Sequence, residues 1–195
     1  MTSARRLDGY TVEDWESVTP EPGHRIELHA GRFVVSAAPA VGHQRIADRL
    51  QSLLDDAVTD SGMEAVTAVG VRVAPQVGYI PDVVVCTEVL PGDTTNVDVV
   101  LVALAIEVVS PSTRQTDRLT KPAAYAAAGV PAFWRVEISD ETQPVIYCYR
   151  LDQGAYVETT TLRAGTAGTV DIPGGATITF DPAALTGRRQ RQKDR

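Results

Sequence analysis

The sequence contains no long apolar run and has few cysteines and histidines. No segment approaches the roughly 18 apolar residues of a membrane-spanning helix, and no apolar stretch follows the charged start MTSARRLDGY. We therefore expect a cytoplasmic protein with no membrane span and no secretory signal. Cys86 and Cys148 lie in apolar runs without CxxC spacing, which predicts buried, reduced thiols. His24 and His29 lack the partners that a zinc site needs.

Charge is distributed unevenly along the chain. The net charge is −7, but the last nine residues, GRRQRQKDR, hold five basic residues and one acidic residue, so they carry +4 and leave −11 on the rest. An acidic body argues against broad, non-specific adhesion to nucleic acid, because such binding depends on neutralising phosphates. With no repeat and no long linker, we expect one domain over residues 1–187. Residues 188–195 are expected to form a solvated basic tail, which could add a local contact.

Apolar periodicity predicts an α/β (α+β) fold. Helices are expected at 11–18, after Pro39 and at about 120–128, where Gly129 ends the last one. Strands are expected in most of the remaining chain, with hairpins at His29-Ala30-Gly31 and Asp152-Gln153-Gly154. This order predicts one large, central mixed sheet flanked by few helices.

Glu107 interrupts the most apolar of these strands. Alternate positions from Leu101 to Val109 are apolar on both faces, as in a central strand that is covered on both sides. An unpaired carboxylate in such a strand costs several kcal/mol or takes up a proton. Two explanations remain open from the residues alone: a structural ion pair, or a functional site at the carboxyl end of the strand.

Asp82 is a second candidate carboxylate. Pro81 cannot donate a ladder hydrogen bond, so Asp82 is expected to open the strand that follows it. Simple turn chemistry would also account for an aspartate after proline. If Asp82 and Glu107 lie on neighbouring strands, they form a two-carboxylate metal site, for which oxygen ligands favour Mg²⁺ or Mn²⁺.

Lys121 is the third candidate. Proline is tolerated in the first turn of a helix but not in its interior, so Pro122 predicts that a helix begins there with Lys121 or Thr120 at its cap. That position could direct Lys121 at the strand ends, although a solvated lysine explains it equally well. Two carboxylates, a divalent ion and a lysine suit the hydrolysis of a phosphodiester.

The segments PDVVV and IEVVSPSTRQTDRLTKPAAYAAAGVPAFWRVE closely resemble the Uma family of restriction endonuclease-like proteins, a bacterial branch of the PD-(D/E)XK nuclease superfamily. The resemblance extends from Tyr10 to Leu185 and omits the basic tail. It implies a restriction-endonuclease-like core: a central mixed sheet flanked by helices, with additional hairpins. It also implies a Mg²⁺-dependent endonuclease that acts on DNA and that could dimerise to cut both strands.

The resemblance further implies a set of site residues. The superfamily places a catalytic lysine two residues after the metal-binding glutamate, where this chain has Val109; the Uma family supplies a lysine from the following helix instead. Asp82 and Glu107 then match the metal ligands, and Lys121 matches the displaced lysine. Glu27, in RIELHAGRF, matches an acidic residue of the N-terminal part of the site.

Further residues are candidates for supporting or substrate-binding roles. His43 and Gln44 open the long helix and could line the cleft, and Asp117 and Tyr125 match family positions; helix capping, surface exposure and packing are the structural alternatives. Ser110 and Ser112 follow Glu107 closely but lack the G-x-S-x-G setting of a nucleophilic serine. We expect them to shape a turn or to bond a phosphate.

Three functions therefore remain to be distinguished. The leading hypothesis is a Mg²⁺- or Mn²⁺-dependent nuclease. The second is a non-catalytic module that keeps the fold and binds nucleic acid or a protein, which the acidic body favours. The third is a metal-dependent hydrolase of small phosphoesters.

Overall fold

The structure is a computed structural model, and it describes residues 8–139 and 143–186. The predicted basic tail at 188–195 lies outside these residues. Within them, no helix is long and apolar enough to cross a bilayer. Cys86 and Cys148 are both buried and free, as predicted.

Three α-helices are present in the described chain: α1 (Val12–Glu16), α2 (Val41–Val58) and α3 (Lys121–Ala127). α1 begins with a capping box in which the Thr11 and Asp14 side chains bond each other's backbone N–H groups. α2, the helix expected after Pro39, buries apolar residues at spacings of three and four residues. α3 ends before Gly129, whose φ of 83° suits glycine and fixes the predicted stop.

The strands form two large sheets and one small one. In chain order they are β1 (His24–His29), β2 (Arg32–Ala37), β3 (Glu64–Val66), β4 (Gly70–Ala74), β5 (Val77–Tyr79), β6 (Val83–Cys86), β7 (Asn96–Asp98), β8 (Val102–Val108), β9 (Ala132–Ser139), β10 (Gln143–Asp152), β11 (Ala155–Arg163), β12 (Gly168–Asp171) and β13 (Thr177–Phe180). Both predicted hairpins are present, as β1–β2 and β10–β11.

The central sheet has six strands in the order β11-β10-β9-β8-β6-β3. It is mixed, because β8 and β9 are parallel whereas the other neighbours are antiparallel. All seven residues of β8 are buried. One face packs on α2 and the β12–β13 hairpin, and the other packs on α3 and on β4, β5 and β7. Coverage of both faces explains why β8 is apolar throughout.

The prediction of a single large sheet was wrong. The segment EAVTAVGVRVA has the pattern of a single strand, but it is divided at Ala68, whose φ is 59°. Its first half, β3, joins the central sheet, and its second half, β4, joins a separate five-stranded sheet in the order β2-β1-β5-β4-β7. α1 packs on this second sheet through Trp15, which stacks against Gly78 and donates from Nε1 to the Ile26 carbonyl at 2.7 Å. Only a residue without a side chain fits beneath the Trp15 ring.

The third helix begins as expected, with Thr120 at its cap and Pro122 in its first turn, but the turn before it was not predicted. A π-helical turn over Thr116–Thr120 precedes α3, and the Lys121 N–H donates to the Thr116 carbonyl five residues earlier. Pro122 has no N–H and its ring crowds the carbonyl four residues earlier. A wider turn before the proline relieves that conflict, so the helical path begins before Pro122 instead of at it. As a result, Asp117 Oδ1 lies 3.9 Å from Lys121 Nζ, one turn further along the helix.

Candidate active site

The predicted carboxylates meet at one end of the central sheet. Val83 pairs with Ile106, and the Asp82 N–H donates to the Ile106 carbonyl at 3.1 Å, so Asp82 stands opposite Glu107. Residues opposite each other on antiparallel strands project to the same face, with Cβ atoms about 5 Å apart. Both residues line a cleft of about 1030 Å³, which is bounded by the β1–β2 hairpin, the start of α2 and the segment that follows β8.

Glu107 has a partner for each of its oxygens. Lys121 Nζ lies 3.0 Å from Oε2, and the Tyr125 hydroxyl donates to Oε1 at 3.0 Å. Only 2% of Glu107 is exposed. Burial raises the pKa of Glu107 well above its ordinary value; Lys121 opposes this effect, and the charges of Asp117, Asp82 and Glu27 add to it. In this structure a lysine and a tyrosine, both from α3, meet the buried carboxylate.

Lys121 joins the two large sheets. Its Nζ lies 2.9 Å from Glu27 Oε1, on β1 of the five-stranded sheet, and 3.0 Å from Glu107 Oε2, on β8 of the six-stranded sheet. Burial lowers the pKa of Lys121, but the charges of Glu107, Glu27 and Asp117 outweigh burial and raise it above its ordinary value. Lys121 is therefore a permanent ammonium group and cannot accept a proton at neutral pH.

Glu27 is held as an ionised carboxylate. Its Oε1 also accepts from the Ile80 N–H at 2.9 Å, and its Oε2 lies 3.0 Å from His29 Nε2. Burial raises the pKa of Glu27, but the Lys121 charge and the hydrogen bonds from His29 and Ile80 outweigh burial and lower it to about 2. Glu27 therefore belongs to the same ion cluster as Glu107, with Lys121 between them.

Asp82 is surrounded by a second set of donors. Arg25 Nη1 lies 3.2 Å from Oδ1, and Oδ2 lies 2.8 Å from the Val108 N–H and 3.1 Å from His43 Nε2. His43 Nε2 also lies 2.8 Å from the Val108 carbonyl. Because both neighbours are acceptors, Nε2 carries a hydrogen. Burial raises the pKa of Asp82, but the hydrogen bond and charge of His43, with the Val108 N–H, lower it below its ordinary value.

Asp117 lies beneath the segment that follows β8. It is 3% exposed, and its Oδ2 accepts a hydrogen bond from the Thr113 hydroxyl. Burial raises the pKa of Asp117 to about 6, against the opposing effects of Lys121 and Thr113. This buried carboxylate therefore changes protonation state close to neutral pH.

Most of the other candidates from the sequence also reach the cleft, and two do not. His43, Ser110, Ser112 and Asp117 line it. Tyr125 is fully buried behind Glu107. Gln44 is exposed and donates from Nε2 to the Pro39 carbonyl at 2.8 Å, so it folds back on the start of its own helix and does not line the cleft.

Sequence reasoning missed Arg25, Thr113 and the role of His29. Arg25, Glu27 and His29 occupy alternate positions of β1, while Ile26 and Leu28 face the other way. Strict alternation of this kind places three polar side chains on one face of a strand. That signal was present in HRIELH and would have placed Arg25 and His29 beside Glu27.

The donor set fits a hard divalent cation. Four carboxylates, Glu27, Asp82, Glu107 and Asp117, face two permanent cations, Arg25 and Lys121, which leaves two negative charges in excess when the histidines are neutral. A carboxylate oxygen can accept two bonds. Asp82 Oδ1 and each oxygen of Glu107 have one described donor, so each retains capacity for a cation. Within 8–139 and 143–186 no three His, Cys, Asp or Glu residues form a ready-made metal site, but Mg²⁺ commonly uses one or two carboxylates together with water and phosphate oxygens.

A mixed central sheet flanked by few helices, with Asp82 and Glu107 at one end of neighbouring strands, is typical of the restriction-endonuclease-like class of folds. The chain is similar to the crystal structure of "a putative nuclease belonging to DUF820" from Anabaena variabilis ATCC 29413, with a TM-score of 0.63. That match covers 90% of this chain and 97% of that one at 14% identity, so it shows the fold. The profile of the Uma2 family, described as "Putative restriction endonuclease", matches residues 11–181, and the chain therefore belongs to the Uma2 family. Comparison with curated proteins finds no match. Family and fold together support a nuclease function.

Proposed function

We propose that this protein is a metal-dependent endonuclease that hydrolyses phosphodiester bonds in DNA. The observation that carries the proposal is the position of Asp82 opposite Glu107 at the end of adjacent strands, with Lys121 Nζ 3.0 Å from Glu107. The family description supports a nucleic-acid substrate. A cytoplasmic location gives access to DNA, and a homodimer would provide the two sites that a double-strand cut requires.

In this proposal Asp82 and Glu107 hold one Mg²⁺ or Mn²⁺ ion. Such an ion, when bound, lowers the pKa of water and stabilises the extra negative charge on the phosphoryl group. Lys121 adds a fixed positive charge beside Glu107, which favours the same build-up of charge. The water gives up one proton into the cleft as its oxygen bonds to phosphorus and the bond to the leaving oxygen breaks. The leaving oxygen keeps the electron pair and takes a proton from solvent.

Arg25, His43 and Glu27 position these groups. Arg25 and His43 fix the two oxygens of Asp82 from opposite sides, and Glu27 holds Lys121 from the neighbouring sheet. Each side chain is therefore restrained before substrate binds, which reduces the reorganisation needed at the reaction step.

Cleavage of labelled DNA with Mg²⁺ or Mn²⁺ tests the proposal. Glu107→Gln keeps the shape of the side chain but removes the charge that would bind metal, so we expect cleavage to fall by about 10³-fold or more. Glu158→Gln is the matched control: Glu158 is exposed on β11 and does not line the cleft, so cleavage should be unchanged. Equal cleavage by wild type and Glu107→Gln would refute the site.

A second candidate is a non-catalytic module that binds nucleic acid or a protein. The observation that favours it is the complete internal pairing of the cluster, in which Glu107 and Asp82 already have donors on both oxygens. Calorimetry with Mn²⁺ separates the two functions. A wild-type protein that binds Mn²⁺, and a Glu107→Gln variant that does not, favour the nuclease; no binding by either favours the module.

A further inference from the structure

Three hydroxyl groups connect the cleft to the buried Asp117. Ser112 Oγ lies 3.1 Å from Ser110 Oγ, which lies 2.8 Å from Thr113 Oγ1, and Thr113 Oγ1 donates to Asp117 Oδ2. Ser112 is exposed at the cleft, whereas Asp117 is buried. The four groups form a continuous chain of hydrogen bonds that runs from the wall of the cleft into the protein.

The number of hydrogens available decides which group donates in each of these hydrogen bonds. Each hydroxyl carries one hydrogen, and an ionised carboxylate can only accept. Thr113 gives its hydrogen to Asp117, so Ser110 must donate to Thr113. Ser112 must then donate to Ser110. The cleft end of the chain is consequently an acceptor, because Ser112 presents only lone pairs to a water molecule.

Three charged groups at the cleft are poor proton acceptors, and a fourth, Glu107, is assigned to the metal. Lys121 is a permanent ammonium, and the low pKa values of Glu27 and Asp82 make these carboxylates weak bases. Glu107 carries donors on both oxygens and is assigned here to the metal. Asp117 differs from all four, because its pKa near 6 matches a base that operates at neutral pH.

We propose that Asp117 is the terminal proton acceptor of the reaction, reached from the attacking water through Ser112, Ser110 and Thr113. This inference rests on the proposed nuclease function. As the water oxygen bonds to phosphorus, its hydrogen passes to Ser112 Oγ. Ser112 releases its own hydrogen to Ser110, Ser110 to Thr113, and Thr113 to Asp117 Oδ2. Each oxygen gains one hydrogen and loses one, and the carboxylate ends protonated.

Protonation of Asp117 before the reaction reverses the direction of every hydrogen bond between Ser112 and Asp117. A neutral Asp117 donates to Thr113, so Ser112 then presents a hydrogen to the cleft and can no longer accept one from water. The groups that act on Asp117 are the Lys121 ammonium at 3.9 Å, the Thr113 hydroxyl and the negative charges of Glu27, Asp82 and Glu107. We therefore expect the rate to fall on the acid side of the profile, as Asp117 takes up a proton.

The test measures kcat, KM and their pH profiles for metal-dependent DNA cleavage by the whole chain. Thr113→Val removes the central hydroxyl but leaves the charge of Asp117 beside Lys121, and Ser112→Ala removes only the exposed end of the chain. Both should lower kcat by about 10²-fold or more with little change in KM. Thr113→Ser restores the hydroxyl and should recover the rate. Thr120→Val, at an exposed threonine that does not line the cleft, is the matched control.

The outcomes separate this inference from the proposed function. Thermal melts and Mn²⁺ calorimetry should be unchanged in Ser112→Ala, which shows that a loss of rate is not a loss of fold or metal. If the wild-type protein cleaves DNA and both Thr113→Val and Ser112→Ala cleave it equally well, proton transfer to Asp117 is refuted. The proposed nuclease function is then retained. If the wild-type protein binds Mn²⁺ but cleaves no DNA, the proposed nuclease function and the proton transfer to Asp117 are both refuted. If the cleavage rate of Asp117→Asn no longer falls at acid pH, the proton transfer to Asp117 is supported. If its rate falls at acid pH as in the wild type, the proton transfer is overturned.

Discussion

Replacing Lys121 with methionine should destabilise the protein strongly at neutral pH. Methionine keeps the apolar stem but leaves two buried carboxylates, Glu27 and Glu107, without their ammonium partner. A carboxyl whose pKa falls from 4.5 to about 2 on folding stabilises the folded state by roughly 3 kcal/mol above pH 4.5, and the Lys121 charge is the largest cause that lowers the pKa of Glu27. Breaking a buried ion pair by removing one partner typically costs about 3–5 kcal/mol. The two estimates agree.

Urea denaturation followed by circular dichroism measures this loss. We expect the free energy of unfolding of Lys121→Met to be lower by about 3–5 kcal/mol at pH 7, with a melting temperature lower by roughly 6–20 °C. The stabilisation from Glu27 is present above pH 4.5 and lost as pH falls towards 2, so the difference should narrow at pH 4 as the carboxyls of the variant take up protons.

A surface ion pair provides the control. Arg118 pairs with Glu137 from the turn just before α3, but its side chain is 39% exposed, so Arg118→Met should cost less than about 1 kcal/mol. Two results would refute the account of a buried ammonium shared by two carboxylates. One is a loss in the free energy of unfolding of Lys121→Met below about 1 kcal/mol; the other is a loss that stays constant between pH 7 and pH 4.

Two further changes test packing and hydrogen bonding. Gly78→Ala should destabilise the protein by about 1–3 kcal/mol in urea denaturation, because the new Cβ would collide with the Trp15 ring. Gly42→Ala, in open space, should not, and equal stability of the two variants would contradict this packing. Tyr125→Phe removes the donor to Glu107 Oε1 and should cost about 1–3 kcal/mol at pH 8. Because burial raises the pKa of Glu107, the cost should decrease as the pH is lowered and Glu107 takes up a proton; a loss that does not depend on pH would point to packing alone.

Much of the central sheet follows from local sequence pattern. β8 is apolar on both faces, which predicted a central strand. Pro81 predicted that a strand begins next to Asp82, and β6 begins directly after it. The juxtaposition of Asp82 and Glu107 therefore required only that β6 and β8 be neighbours. The match of Lys121 to the site came from the family resemblance, because a lysine at the start of a helix is more often solvated.

The separation into two large sheets could not be predicted from the sequence. Ala68 carries a positive φ without the glycine or asparagine that usually marks one, so the break between β3 and β4 left no sequence signal. The early start of the helical path before α3 was hidden for a related reason. Pro122 indicates where an α-helix cannot continue normally, but not whether the chain begins a helix there or widens the preceding turn.

The position of Lys121 has a consequence for the evolution of the family. One ammonium group fixes the five-stranded sheet to the six-stranded sheet and also supplies positive charge to the proposed chemistry. A substitution that alters the chemistry at this position therefore also weakens the contact between the sheets. A lineage that lost the activity would therefore still be under selection to keep the lysine, because the same residue stabilises the folded protein. The presence of a lysine at this position does not by itself indicate a functioning nuclease.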